Sequence, residues 1–190
     1  MRPVDLNPGE AIHHEGDPAR CVVVLPGVRY FSQAPLLWFA REIAQSRGWS
    51  VLELSERAPA NEQPFEWIRR RAAQALDRTS AEHVAVIGKS LASAAAPLVA
   101  ERDLPAVWLT PLLDRPDVTE ALGSVSAPTL AIGSPADPSW GEGLLPAGSL
   151  EVVALDGLDH SLQVEGDPLA SLAVLGDVTE WIGAFLERIA

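Results

Sequence analysis

The stretch VAVIGKSLAS, residues 84–93, joins an apolar strand-like run to Gly88-Lys89-Ser90 and then to alanine-rich sequence. Two readings compete for it. A phosphate-binding loop needs the spacing G-x-x-x-x-G-K-[ST], because several loop amides must wrap the phosphates before the helix begins. Counting back from Gly88, the position that should be glycine is His83, and the four residues between read as strand. No loop is left to wrap a phosphate, so that reading fails. The other reading is a nucleophile elbow, in which serine sits on a strained strand-to-helix turn with its hydroxyl exposed at the edge of a sheet. So tight a turn needs small residues two places before and two places after the serine, and here they are Gly88 and Ala92. The run of small residues at 91–96 suits a helix lying close against a sheet, and Pro97 is expected to end or kink that helix about two turns in. Lys89 is expected to point away from any chemistry at Ser90.

Outward from this stretch, short β-branched runs bounded by turn residues recur at 21–25, 50–54, 83–87, 106–109, 128–132 and 150–154. They are almost continuously apolar, as parallel strands covered on both faces must be. Between them, helical spacing is expected at 34–47, 64–77, 91–101 and in a final segment ending near residue 189. In that last segment Val174, Val178, Trp181, Ile182, Phe185 and Ile189 share one face. The pattern predicts an α/β fold with a mostly parallel central sheet of about six to seven strands and helices on both faces. The residues before Cys21, rich in Gly, Pro and charge, fit a short edge hairpin. Trp38, Trp49, Trp67, Trp108 and Trp181 read as core or helix-packing residues.

At 190 residues the chain is expected to form one domain, 1–190, and its 47% hydrophobic and 21% charged content is that of a globular protein. With 14 basic against 26 acidic residues the net charge is -12, which repels phosphate backbones and anionic membrane surfaces. Neither nucleic acid nor a membrane is therefore an expected partner. A lone cysteine, Cys21, excludes an intrachain disulfide and a cysteine-rich metal site, and it reads as a small buried hydrophobe. No signal-peptide core opens the sequence and no run approaches the roughly 18 apolar residues of a membrane span, so a soluble cytoplasmic protein is expected.

In open α/β sheets functional groups gather beyond the carboxyl ends of the strands, and this rule sorts the histidines. His83 stands at the entrance of its strand, and His13 and His14 read as a solvated pair. Only His160, in LDGLDHSLQV, follows a strand at the carboxyl edge. Asp137, in AIGSPADPSW after the preceding strand, can accept the imidazole Nδ1–H, fix the tautomer and stabilise the imidazolium formed when serine gives up its proton. Asp114, after the strand at 106–109, is the reserve for that role. Asp156 and Asp159 lie too close in sequence to His160 to orient it.

The order Ser90, Asp137, His160, with GKSLAS, ADPSW and DHSL at successive strand ends, resembles the α/β-hydrolase superfamily from residue 21 to residue 189. It is most similar to the small, capless bacterial members of the dienelactone-hydrolase-like group. The resemblance implies a serine hydrolase that cleaves a small ester or related acyl substrate through an acyl-enzyme, with no cofactor and no metal. It also implies an oxyanion hole from two backbone amides, by position Leu91 and, in LPGVRYFSQ, Val28, although Pro26 stands where histidine is common before the loop glycine. Only residues 110–127 separate the strand at 106–109 from the next, too few for a cap domain, so the site is expected to be open. Arg29, Tyr30 and Trp140 are placed to contact substrate, with loop packing or solvation as the alternative for each. Two other readings stay open: a catalytically silent interaction protein on the same fold, and an acyl transferase or thioesterase using the same triad. Dehalogenase and epoxide-hydrolase chemistry is not expected, because those relatives carry aspartate where this chain has Ser90.

Overall fold

The computed structural model describes residues 2–5, 10–56, 58–143 and 147–190. Among them, eight strands form one sheet in the order β1-β2-β4-β3-β5-β6-β7-β8. The six expected runs become parallel strands: β3 Asp17–Leu25, β4 Trp49–Leu54, β5 His83–Lys89, β6 Ala106–Leu109, β7 Thr129–Gly133 and β8 Leu150–Ala154. The anticipated hairpin is β1 Arg2–Asp5 with β2 Glu10–His14, and β2 extends the sheet antiparallel along β4.

Alternation along the strands sends successive side chains to opposite faces, and each face has its own core. On one, Val23, Leu25, Leu52, Val86 and Trp108 pack under α2 Pro64–Arg78, α3 Ala96–Glu101 and α4 Pro116–Gly123. On the other, Val22, Val24, Val51, Ile87, Leu109 and Ile132 pack under α1 Pro35–Ser46 and α5 Pro168–Arg188. Cys21 is buried in the first of these cores. The short α4 is all the helix that residues 110–127 hold, and among the described residues no cap covers the carboxyl edge.

Several expectations are corrected. Each of the five α-helices among the described residues carries proline at its first or second position, where the missing N–H would be unpaired in any helix. Pro97 is one of these: a 3-10 segment, Ser90–Ala95, leads into α3 at Ala96, so Pro97 starts a helix instead of ending one. His14 is buried, not solvated, and its Nε2 lies 2.8 Å from Glu53 Oε2. Glu53, itself 1% exposed, also receives Gln33 Nε2 at 2.8 Å and Arg41 Nη1 at 2.9 Å. Trp38 is exposed on α1, edge-on to Phe39, because Leu36, Leu37, Ala40 and Ala44 form the buried face. Finally, α5 spans 21 residues with a mean hydropathy of 1.4 over its most apolar window, enough by length and composition to cross a membrane. Its second half instead buries Val178, Ile182, Phe185 and Leu186, and Arg47 beside α1 pairs with Glu187 at 2.6 Å.

Candidate active site

β3 pairs with β4 on one side and β5 on the other, so the chain reverses direction of travel across the sheet at β3. Such a switch point leaves a crevice beyond the carboxyl ends of the strands. Ser90 opens the 3-10 segment directly after β5, with φ +53, a left-handed conformation that a non-glycine residue holds only where its surroundings enforce it. The enforcing contacts are close. A Cβ on Gly88 would lie 2.7 Å from the Trp108 ring and 2.8 Å from the Ala92 Cβ, so glycine at 88 is what makes room for alanine at 92. Ser93 Oγ donates to the Ser90 carbonyl at 2.7 Å and accepts from the Leu112 amide at 3.0 Å, tying the turn to the loop after β6.

The structure brings Ser90, His160 and Asp137 into one chain of contacts. Ser90 Oγ is 2.7 Å from His160 Nε2, and His160 Nδ1 is 2.5 Å from Asp137 Oδ2. A carboxylate can only accept, so Nδ1 carries the proton and Nε2 is left to accept from the serine hydroxyl. Asp137 is 2% exposed, while the His160 side chain keeps 37% of its surface open to solvent. The other carboxylate oxygen, Oδ1, accepts from the Ser139 amide at 2.9 Å, so Asp137 also caps the short 3-10 turn Pro138–Trp140. Asp114 is exposed on the loop after β6, and the histidine bond goes to Asp137. Asp159 accepts from the Ser161 and Gln163 amides, shaping the turn that follows His160.

The loop after β3 folds over the elbow. Gly27 N donates to the Tyr30 carbonyl at 2.9 Å, and Arg29, with φ +55, completes the turn. A Cβ on Gly27 would come within 3.2 Å of the Lys89 carbonyl and 3.4 Å of the Ser90 Cβ, so glycine allows the loop to approach. Val28, more than half exposed, and Leu91 line the same hollow of about 410 Å³, together with Arg29, Phe31 and Trp67. Leu91 lies in the first turn of the 3-10 segment, where backbone N–H groups have no partner within the helix. A second hollow, about 500 Å³, opens between Tyr30, Leu36, Leu162, Leu172 and Leu175, bordered by Ser161 next to His160.

Trp140 does not line the site. It is 4% exposed, and its ring lies where any side chain on Gly133 would overlap it, so it belongs to the core beneath α4. Lys89 reverses its expectation too. It is 1% exposed, and its Nζ donates to Thr110 Oγ1 at 3.0 Å and to the His160 carbonyl at 2.8 Å. The sequence signal for Lys89 was a charged residue inside an otherwise apolar strand end, and the same signal marks Glu53.

No known family's sequence profile matches the chain, and no curated protein matches it in sequence. Solved structures do match in fold. Est1E from Butyrivibrio proteoclasticus, with ferulic acid bound, superposes with a TM-score of 0.74 at 13% identity, covering 100% of this chain and 99% of that one. A dienelactone hydrolase from Anabaena variabilis gives 0.69 at 21% identity over 95% and 94% of the two chains. A monoacylglycerol lipase from Paleococcus ferrophilus gives 0.67 at 12% identity over 97% and 100%. The fold is that of the α/β hydrolases, with no cap domain among the described residues.

Proposed function

We propose that this protein is a serine hydrolase that cleaves a small ester or related acyl substrate. The observation that carries the reading is the hydrogen-bonded line from Ser90 Oγ through the His160 ring to buried Asp137, at the carboxyl edge of the sheet. The α/β-hydrolase fold supports it, as do structural neighbours described as a dienelactone hydrolase and a monoacylglycerol lipase. His160 Nε2 takes the Ser90 proton as Oγ attacks the carbonyl carbon, and Asp137 stabilises the imidazolium that forms. The amides of Leu91 and Val28 receive the developing oxyanion, each donor contributing roughly 2.7–4 kcal/mol to the transition state. The C–O bond to the leaving group then breaks, and the alcohol departs with the proton held on Nε2. Water, deprotonated by the same nitrogen, attacks the acyl-enzyme and releases the acid, and Ser90 recovers its proton. Arg29 and Tyr30 border the two hollows on either side and contact the substrate. The packing of α5 on the sheet supports a soluble enzyme.

Turnover of short-chain to long-chain aryl esters tests the reading. Ser90→Ala is expected to lower kcat by on the order of 10⁴-fold or more on any ester that the wild type cleaves. Undiminished turnover in that variant would overturn the assignment.

A further inference from the structure

Lys89 is the last residue of β5 and the immediate neighbour of Ser90, yet the hydrolytic steps above do not use it. Its three partners come from three different loops. Thr110 Oγ1 at 3.0 Å follows β6, the His160 carbonyl at 2.8 Å follows β8, and the Tyr30 ring, 4.6 Å from Nζ, follows β3. An ammonium sealed from water is disfavoured, and an apolar side chain of similar length would fill the same space without that cost. Here the cation meets the backbone of the proposed base and the loop that carries a proposed oxyanion donor. The charged and titratable groups around it are Asp137 after β7, Asp159 and His160 after β8, and Tyr30 after β3.

We propose that Lys89 is a positioning residue: as a cation it ties the His160 backbone and the Tyr30 ring to the strand that bears Ser90. The proposal rests on the triad reading of the site. A neutral amine would keep N–H donors for Thr110 and His160, but those bonds weaken when the donor loses its charge, and the attraction to the Tyr30 face vanishes. Burial pushes the Lys89 amine down from 10.5 to about 8, against the upward pull of Asp137 and then Asp159. The tether is therefore at full strength below that pH and slackens as pH rises through it. A residue that merely filled space would show no such dependence.

The test compares wild type, Lys89→Arg and Lys89→Met. Both kcat/KM on 4-nitrophenyl acetate and the His160 ring proton resonance are followed from pH 6 to pH 10. Wild type is expected to lose kcat/KM with a midpoint near pH 8, as the amine loses its proton. Lys89→Arg, which stays charged, should hold its value to pH 10. Lys89→Met should be lower by about tenfold or more at pH 7 and show no limb near pH 8. The His160 resonance should step near pH 8 in wild type and not in Lys89→Met. A falling limb with the same midpoint in Lys89→Arg overturns the proposal, as does a wild-type resonance without that step. Should wild type turn over no ester, the triad reading fails, and the ring resonance alone then decides the role of Lys89. Wild type and Lys89→Arg suffice if Lys89→Met does not fold.

Discussion

Ser90 holds φ +53 because Gly88, Ala92 and Trp108 leave the turn no other shape. Adding a methyl at 88 puts Cβ 2.7 Å from the Trp108 ring, a contact that real structures do not tolerate. Gly88→Ala is expected to cost about 1–3 kcal/mol, seen as a Tm lowered by several degrees in thermal denaturation. At the same scale, the carboxylate that His160 meets is Asp137. Asp137→Asn should lower kcat by about 10⁴-fold, since the amide no longer holds the tautomer that leaves Nε2 free to accept. Asp114→Asn, on an exposed side chain, should stay within a few-fold of wild type, and kcat for the two variants distinguishes them. Spacing made Gly88, Ser90 and Ala92 legible in the sequence. The direction of Lys89 was not, because periodicity assigns a face within a regular strand and says nothing of where a strained turn aims the residue beside it.

Among the elements, β4 does more than its apolar reading implied. Glu53 near its end gathers Gln33 from the loop after β3, Arg41 from α1 and His14 from β2. Burial alone would raise its carboxyl, but hydrogen bonds from neighbours including Arg41 and His14 outweigh that and hold it below the usual range. Removing the carboxylate takes a buried partner from both Arg41 and His14, so Glu53→Ala is expected to cost about 3–5 kcal/mol in denaturant unfolding. It should also lower kcat/KM, because Gln33 belongs to the loop that covers Ser90. The strands were legible because each holds an almost continuous apolar run, and α5 because its stripe repeats along a 21-residue helix. The eight-residue α4 was not: PDVTEALG buries only Val118, Ala121 and Leu122, too short a stripe to stand out from a loop. Pro97 misled for a related reason, since the same residue stops one helix and starts another, and only the switch from 3-10 to α geometry decides between them.

For the molecule as a whole, the titrating groups set opposite trends at the two ends of the pH scale. The carboxyls of Asp17, Glu53 and Asp117 all lie below their ordinary values. For Asp17 the largest cause is the hydrogen bond from the Ala19 amide. For Asp117 burial pulls the other way and is outweighed by Arg115 and Arg69. The stability that these groups add is present in full above the unfolded values of 4.5 for Glu and 3.8 for Asp, and is lost as pH falls through the lower folded values. The urea midpoint should therefore fall between pH 6 and pH 3. Lys89 runs the other way: between about 8 and 10.5 the unfolded chain binds more protons at this site than the folded one, so its contribution to stability rises with pH across that window. Activity, through the same titration, declines as pH rises through about 8. The architecture itself was readable, with Ser90, Asp137 and His160 each following its strand to one edge, because strand order and chain reversal place a crevice there. The partners of buried charges were not readable, since they join residues 39 and 71 positions apart.

Ser90 as nucleophile and His160 as its base have a direct chemical signature. A fluorophosphonate reacts covalently with an activated serine, and peptide mass spectrometry locates the adduct. One phosphonyl group on the peptide containing Ser90, absent after His160→Ala, is the predicted result. An unmodified protein, or an adduct on any other residue, would contradict both roles.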